Sequence, residues 1–455
     1  MYEPVNKPLT IRTLLFFAGP SMILGLTGTA SGSILAGVYA KNFDISLTAL
    51  GTAMLMARLF DAISDPLIGY LSDRTRSRLG PRKPWIALGL LLTVISTFYY
   101  FIPPDSADAT YFMIWYMAAT LSWTMVQIPL LAWQGELSHD YHERSRISTY
   151  RVVGDRIGRL CFALLPLLPI FASTRITLEV MEAVFWLVLI LAPITLVLSM
   201  WKVPKGTRLQ SSKNDRLIDF IKTVPRNKPM ILLVIITISG GLADGVFSTT
   251  VFLYVDVYLQ RAENFPLVLL VGQGFMLLAL PVCLVMMRRF GKHPTWAGGT
   301  VFMILGCLTL LITSQGDPLW MLLVAVLLVY AGAAAGNVAS VAMLADVVDY
   351  DTLKTGHNRG GQYFSLSALI EKANFAVGGA LAFYTLDLFG FDVKLTAQSV
   401  LGDWGMKTTI AILPIIFSAI AMVLLIFYPL TEKRHNIVRR RLEQRRDRHQ
   451  TVDDS

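Results

Sequence analysis

The sequence predicts an all-helical membrane protein with twelve transmembrane helices in two six-helix bundles. Composition is the first reason: of 455 residues, 54% are hydrophobic and only 16% are charged, whereas soluble domains carry about 25% charged residues. The second reason is that an apolar helix of about 20 residues crosses the ~30 Å hydrocarbon core of a bilayer, and the chain contains twelve such segments. The third is a charged connector with six segments on either side.

The predicted spans follow one another with short loops between them. No cleavable signal peptide is expected before the first, because the mildly basic start lacks a small-residue cleavage site. The spans cover residues 11–40, 46–73, 84–103, 110–136, 149–172, 180–201, 229–259, 266–289, 294–314, 318–348, 360–391 and 405–430.

The position of the connector predicts four regions. They are an N-terminal six-helix bundle (1–201), a cytoplasmic connector (202–228), a C-terminal six-helix bundle (229–430) and a basic cytoplasmic tail (431–455). This is the plan of transporters built from repeated halves. A faint repeat supports it, since GPRKPW follows the second span and GKHPTW follows the eighth.

The basic residues indicate the orientation of the chain. Roughly three quarters of the 40 Lys and Arg residues fall in the termini and in the loops on the same side. Because positively charged loops stay in the cytoplasm, we expect a multi-pass protein of the inner (plasma) membrane with both termini cytoplasmic. The net charge of +9 then reflects topology rather than a nucleic-acid partner, and the basic tail can contact anionic lipid headgroups.

Catalytic chemistry is poorly supported by the sequence. The three cysteines fall within predicted spans and have neither zinc-site spacing nor a disulfide pattern. All six histidines fall in predicted loops or in the tail, so we expect no histidine dyad and no buried histidine relay. No phosphate-binding loop is present. We therefore expect neither an enzyme nor a resident cofactor, and uphill transport would need an ion gradient.

Three charged residues interrupt the second predicted span. Arg58, Asp61 and Asp65 fall at i, i+3 and i+7, so they share one helix face. A charge at the bilayer centre costs about 2.5–3.5 kcal/mol on insertion scales, so such residues face a protein-lined or watery interior and are functional candidates. Two carboxylates one turn apart need a neutraliser, which is a metal cation, a proton or Arg58.

Two blocks of the sequence resemble one family of transporters. Residues 58–85 include GYLSDR, which is similar to the loop 2–3 signature of the major facilitator superfamily. The second block contains DVVDY, KTG and QYFSL and ends at Lys372. Over about residues 10–430 the chain resembles the glycoside–pentoside–hexuronide:cation symporter family, whose best-known member is the melibiose permease. The resemblance implies the major facilitator superfamily fold and cation-coupled symport.

The resemblance also implies a cation site on the second and fourth helices. Asp61 and Asp65 match the family's acids, while Ser64 replaces its usual asparagine and Thr124 matches its helix-4 threonine. Carboxylates and hydroxyls are hard oxygen ligands that suit Na⁺, and the two acids alone could carry H⁺. Alternatively, Asp65 pairs with Arg58 as part of the structure and leaves one acid for coupling.

Three further residues are implied in solute binding. Gln127 stands where the family has an aspartate that joins cation and sugar binding, whereas Arg151 and Lys372 match its basic residues. The first span has no charged residue between Leu14 and Tyr39, so the family's helix-1 aspartate is missing. Compared with the family, this chain lacks two acids and keeps two basic residues. The difference shifts the electrostatic potential of the expected cavity towards positive values, which suits an anionic solute.

Other polar positions have structural interpretations. Residues 27–33 form a small, hydroxyl-rich strip, for which close helix packing is favoured over solute contact. Arg151, Asp155 and Arg159 are spaced by four and can pair within one helix. Asp73 and Arg74, in the loop signature, are expected to gate or brace a cytoplasmic turn.

The favoured function is therefore symport of a cation, Na⁺ or H⁺, with a glycoside-like, anionic solute by alternating access. A uronide, a sulfonated sugar and a phosphate-bearing amphiphile all fit that description. The alternative is a lysophospholipid symporter, and a receptor or scaffold without turnover is the third hypothesis. The expected partners are the small-molecule or amphiphilic solute and membrane lipid, and we expect a monomer.

Overall fold

The computed structural model describes residues 9–138, 141–206, 227–356, 359–432, 434–438, 440–442 and 444. Most of the predicted connector and of the predicted basic tail lies outside these residues. The described part of the chain is helical, with α1 (Ile11–Ser31), α2 (Ser33–Asn42), α3 (Leu47–Arg74), α4 (Lys83–Phe101), α5 (Ala109–Leu137), α6 (Tyr141–Leu164), α7 (Leu178–Lys202), α8 (Lys228–Leu253), α9 (Phe265–Phe290), α10 (Lys292–Ile312), α11 (Leu319–Thr355), α12 (Gly360–Leu388), α13 (Val400–Lys407) and α14 (Leu413–Ile426).

Eleven helical segments of the described chain are long and apolar enough to cross a membrane. Among the long helices of the described chain, the one that fails this criterion is α6, because it carries four Arg residues and one Asp between positions 146 and 159. It nevertheless packs closely against α1. With α6 the segments account for the twelve predicted spans, and the chain is a multi-pass membrane protein with the predicted all-helical fold.

Several predicted boundaries were wrong for local reasons. The first span is not one helix, because the chain leaves helical geometry at Gly32 (φ −79°, ψ −137°), and Tyr100 donates a hydrogen bond to the freed carbonyl of Ser31 (3.3 Å). The fifth helix runs over Tyr141–Leu164 rather than 149–172, since its first two turns are polar. His142 consequently lies at the start of a helix instead of in a loop, and His293 lies at the start of α10, which begins two residues before the predicted span.

Close contact between α1 and α6 depends on glycines. A Cβ atom on Gly25 would lie 2.0 Å from the carbonyl oxygen of Asp155, and one on Gly158 would lie 2.0 Å from that of Met22. No side chain fits at such distances, so the two backbones touch. This packing explains how a helix as polar as α6 is held at membrane depth.

The hydroxyl-rich strip of α1 is largely occupied within its own helix. Thr27 donates a hydrogen bond to the Ile23 carbonyl (2.9 Å), and Thr29 donates one to the Gly25 carbonyl (3.0 Å). Such bonds satisfy the hydroxyls without an external ligand. Gly28, in contrast, has open space where a Cβ would be.

The chain forms two compact units that do not coincide with its two sequence halves. The first comprises Met1–Ser211, Ser248–Gln273 and Gly379–Met406, and the second comprises Ser212–Phe247, Gly274–Gly378 and Lys407–Ser455. The first unit therefore includes the end of α8, the start of α9 and the end of α12. The predicted boundary at 202–228 stays a prediction.

Each unit has its own apolar core. In the first, a cluster of buried aromatic rings from α2, α4 and α5 contains Tyr39, Tyr100, Phe112 and Tyr116. In the second, side chains of α8, α10, α11, α12 and α14 pack together around Trp296. These cores fix the helices on which the charged side chains stand.

We expect Gly158→Ala to destabilise the protein, because the new Cβ would overlap the Met22 carbonyl. Overpacking of this kind typically costs about 1–3 kcal/mol. The matched control is Gly28→Ala, for which nothing lies within 4 Å and which should keep or raise the melting temperature. Thermal unfolding of the purified protein in detergent measures both. Equal shifts in the two variants would contradict the described α1–α6 contact.

Candidate functional site

The first unit's polar site lies between α3 and α5. Thr124 of α5 contacts Asp65 of α3, and one turn further on a Cβ on Gly69 would meet Ile128. The contact positions advance together along both helices, so α3 and α5 run parallel. Residues one or two turns apart on α3 therefore meet residues equally spaced on α5.

The four residues predicted for cation binding are brought together on this helix pair. Thr124 donates a hydrogen bond to Asp65 Oδ1 (2.9 Å), while Asp61 and Ser64 lie one turn before and beside Asp65 on α3. Asp61, Ser64 and Thr124 are 2%, 5% and 0% exposed. The hydroxyl of Ser64 is buried and makes no hydrogen bond within the described chain. That oxygen is available to a ligand, as a cation site requires.

Arg58 pairs with Asp61, whereas the predicted alternative paired it with Asp65. Its Nη1 donates to Asp61 Oδ2 at 2.8 Å, whereas the hydrogen bond described for Asp65 comes from Thr124. Asp65 is still near enough to act electrostatically on Arg58, and the Tyr116 side chain on α5 is a further hydrogen-bond partner of the guanidinium. Both acids thus remain beside the hydroxyls that could share a cation with them.

Gln127 lies on the same face of α5 as Thr124. The two are three residues apart, which places them on neighbouring turns of one side of the helix. Gln127 is half-buried, and by the parallel register it lies one turn beyond Asp65, towards Gly69. The structure places Gln127 near the cation candidates but not among the residues bonded to them.

The arginines of α6 make two kinds of contact. Arg159 and Asp155 form the predicted intrahelical salt bridge (2.9 Å). Arg151 instead donates from Nε to Gln134 Oε1 of α5 (3.0 Å), and Arg156 donates to the side chain of Gln273 (3.2 Å). An amide orients a guanidinium without neutralising it, so the Gln134 contact preserves the positive charge of Arg151.

Lys372 lies in the second unit, on α12, where it is half-buried. Two residues further on, Asn374 donates to the Thr237 carbonyl of α8 (2.9 Å), and a Cβ on Gly241 would clash with the Asn374 side chain. α8 and α12 therefore approach closely. The acidic Asp244 stands on that part of α8 and interacts electrostatically with Glu371.

No group of three or more His, Cys, Asp or Glu side chains in the described residues is arranged to hold a metal ion. Asp61 and Asp65 are two acids, so a cation bound between them would need hydroxyl or other neutral oxygens to complete its coordination. Ser64 and Thr124 supply such oxygens. The chemistry of this set suits a weakly held monovalent cation better than a structural metal.

Comparison with known proteins identifies the family. The family model described as MFS/sugar transport protein matches residues 16–432. The uncharacterized symporter YnaJ of Bacillus subtilis is 26% identical, with 97% of this chain and 96% of that protein covered. The glucuronide carrier protein homolog of Escherichia coli is also 26% identical, with 94% and 95% covered. The crystal structure of the nucleoside transporter NupG shares the fold, with a TM-score of 0.65 and 12% identity over 92% of this chain and 98% of that one.

The chain belongs to the glycoside–pentoside–hexuronide:cation symporter family. It therefore has the major facilitator superfamily fold that its sequence predicts, and it is a membrane transporter protein. Membership does not by itself assign a role to any of the residues above.

The loop signature of this symporter family member is anchored by a residue that sequence reasoning did not single out. Arg82 forms salt bridges with Asp73 (2.5 Å) and Glu136 (2.8 Å) and donates to the Ser72 hydroxyl (2.9 Å). Arg74 instead lies over the Tyr70 ring, 4.1 Å from its centroid. Asp73 is therefore bonded to Arg82 and not to the predicted Arg74, and the gating or bracing role stays a prediction. We call Arg82 with Ser72, Asp73 and Glu136 the Arg82 brace.

The second unit contains a related arrangement at the equivalent point of the repeat. Gly291 (φ +93°) matches Gly80 (φ +96°) in its left-handed conformation, which favours glycine at both turns. The residue after Gly291, Lys292, forms a salt bridge with Asp346 of α11 (2.5 Å), to which His435 is also close (3.4 Å). The faint sequence repeat therefore corresponds to a repeated turn with a basic residue bound to a helix acid.

At the opposite end of the first unit, polar pairs join the start of α3 to segments from the second half of the sequence. Lys41 forms an ion pair with the buried Asp256, which lies in a π-helical turn, Tyr254–Tyr258. Thr52 shares a hydrogen bond with Tyr384 (2.8 Å). Lys394 pairs with the exposed Asp44 and holds the pKa of that carboxyl below its usual value by charge and hydrogen bonding.

Sequence reasoning missed several polar residues that lie inside predicted spans. A simple signal was available, because a polar or charged residue at membrane depth is a candidate wherever it occurs. They include Gln134, Glu136, Asp244 and Asp256.

We expect Arg82→Gln to lower stability strongly, because it leaves the buried Glu136 without its guanidinium. Breaking a buried ion pair from one side costs about 3–5 kcal/mol. Arg74→Gln removes an arginine from the same loop but only an exposed ring contact, so it should cost less than about 1 kcal/mol. Thermal unfolding of both variants in detergent measures the difference, and similar losses would mean that the Arg82 brace does not hold the turn.

Proposed function

We propose that the protein is a secondary active transporter that couples a monovalent cation to symport of an anionic, glycoside-like solute by alternating access. One observation carries the proposal: the buried Asp61, Ser64 and Thr124 and the half-buried Asp65 bring their oxygens together on α3 and α5. Placing two acids at membrane depth has a large cost, which binding of a cation offsets. Na⁺ suits the hydroxyls as well as the acids, and H⁺ is the alternative cation.

An anionic solute is supported by the basic residues. Arg151 is held by the neutral Gln134, and the described residues of α1 carry no acid. A guanidinium oriented by an amide can form a bidentate, charge-assisted pair with a carboxylate, sulfonate or phosphate. The name of the glucuronide carrier relative agrees with a uronide as the solute. Arg151, Lys372 and Gln127 are the proposed solute contacts.

The proposed location and orientation of the protein follow from the distribution of its Lys and Arg residues. We place both termini in the cytoplasm and the protein in the inner (plasma) membrane, because most Lys and Arg residues lie on the side of the termini. The coupling ion and the solute are cargo, so no resident cofactor and no enzymatic step are required. Membrane lipid surrounds a monomer.

Two measurements test the proposal. A thermal-shift panel of a glucuronide, a neutral glycoside, a sulfonated sugar and a lysophospholipid, each with and without Na⁺, identifies the solute class. Uptake of the best ligand into proteoliposomes with an imposed Na⁺ or H⁺ gradient then tests symport. Cation-dependent accumulation supports the proposal. A shift with lysophospholipid alone favours the lipid alternative, and binding without any uptake favours a receptor.

Asp61→Asn should abolish gradient-driven accumulation, since the amide keeps the shape but removes the charge that attracts a cation. The matched control is Asp155→Asn, which removes another membrane-embedded acid, one paired with Arg159, and should keep cation dependence. Uptake is normalised to folded protein recovered from the membrane. Unchanged uphill uptake by Asp61→Asn would exclude a coupling role for this residue.

Arg151→Ala and Lys372→Ala should weaken binding of an anionic solute while sparing Na⁺ binding. A lost charge-assisted hydrogen bond costs about 1.5–3 kcal/mol, which is roughly a tenfold or larger loss of affinity. Titration calorimetry with the glucuronide and with Na⁺ separates the two effects. If both variants bound the glucuronide normally, these residues would not contact the anionic group.

A further inference from the structure

The salt bridge between Arg58 and Asp61 occupies Oδ2, one of the two carboxylate oxygens that a coupling cation could use. Arg58 Nη1 lies 2.8 Å from Asp61 Oδ2, which is normal for a charge-assisted hydrogen bond. The Asp61 side chain is 3% exposed, so it is accessible to few groups at once. If Asp61 bound a cation, that cation and the Arg58 guanidinium would therefore have to share the one Asp61 carboxylate.

The charges of the site also set how Arg58 and a bound cation would affect each other. Asp61 and Asp65 contribute two negative charges and Arg58 one positive charge, and both acids act electrostatically on Arg58. The set thus has one negative charge in excess, which a single monovalent cation neutralises. A bound cation and Arg58 would also repel each other, because both are positive and lie within one turn of helix.

The side chains around Arg58 allow its guanidinium to move away from Asp61 while it stays within the site. Tyr116 of α5 offers the guanidinium a second hydrogen-bond partner, and one fifth of the Arg58 side chain is accessible, compared with 3% for Asp61. The guanidinium keeps its charge at any physiological pH. It can therefore move between a carboxylate and a neutral hydroxyl without gaining or losing a proton.

We propose that Arg58 is a tethered competitor of the coupling cation: its guanidinium occupies Asp61 when the cation has left, and this lowers cation affinity and promotes release. The inference rests on the proposed function, since it concerns the same cation site. Arg58 is a positioning residue in this scheme, because it does not bind the cation: it occupies Asp61 and repels the cation by its charge.

The competition predicts a gain in affinity when the guanidinium is removed. Arg58→Gln should bind Na⁺ at least about tenfold more tightly, because Asp61 is vacated and a nearby positive charge is lost. Arg58→Lys keeps the charge and should stay closer to the original affinity. Arg159→Gln removes a membrane-embedded arginine that is paired elsewhere, with Asp155, and should leave Na⁺ affinity unchanged. Equilibrium binding of ²²Na⁺ to the purified full chain measures all three.

A transport measurement tests the release step whichever cation is coupled. With the best ligand of the thermal-shift panel, net efflux from proteoliposomes requires cation release, whereas equilibrium exchange of labelled for unlabelled solute does not. Arg58→Gln should slow net efflux at least about tenfold and keep exchange near the original rate. A merely structural role would reduce both rates together, and that result would overturn the inference.

Folding is controlled by a double variant. Asp61→Asn alone leaves the half-buried Arg58 guanidinium without the Asp61 carboxylate and should lower the melting temperature, whereas Arg58→Gln/Asp61→Asn removes both charges and should restore it. Equal melting temperatures for these two variants would contradict the described pair.

The failure of the proposed function and the failure of the competition give different results. Transport by the unmodified protein that did not depend on a cation would contradict the proposed function. Retained dependence with unchanged Na⁺ affinity and unchanged efflux in Arg58→Gln would overturn only the competition.

Discussion

The structure depends on one constraint: every charge held at membrane depth needs a partner, because hydrocarbon offers none. In the first unit α3 meets that constraint with contacts of two kinds. Arg58 bonds to Asp61 within α3, and Thr124 of α5 bonds to Asp65 of α3. Beyond the end of α3, Arg82 at the start of α4 joins the exposed Asp73 to the buried Glu136 of α5. Removing one partner of a buried pair would leave the other charge uncompensated.

Glycine residues allow the polar helix α6 to pack closely against α1. The arginines of α6 cannot face lipid, so they need partners on α6 itself or on neighbouring helices. The contacts of Gly25 and Gly158 bring the α1 and α6 backbones together, and this close approach leaves the arginines directed towards Gln134, Asp155 and Gln273 instead. Small residues on one face of the helix thus make charged residues on another face possible. Packing and electrostatics are two consequences of the same sequence.

The sequence was sufficient for the helical class, for most spans within a few residues and for the shared face of Arg58, Asp61 and Asp65. Apolar length and the i, i+3, i+7 spacing are local properties, which explains this success. The association of Thr124 with these acids came instead from the family resemblance. The sequence was not sufficient for the partner of Arg58, because Asp61 and Asp65 are both within reach on one helix and only the rotamer decides. The start of α6 was hidden by its polarity, and the Arg82 brace depends on contacts between residues 54 positions apart, which no local pattern encodes.

α5 is the element shared by both candidate sites. Thr124 bonds to the acid of α3, Gln127 follows one turn later, and Gln134 orients Arg151 of α6. In relatives that carry an acid at the position of Gln127, charge could link the two sites directly. Here the residue between them is neutral, so any electrostatic link has to pass over a longer distance and is weakened accordingly. Coupling through movement of α5 itself is then the more direct route, because a shift that satisfies Asp65 also moves the amide that aims Arg151.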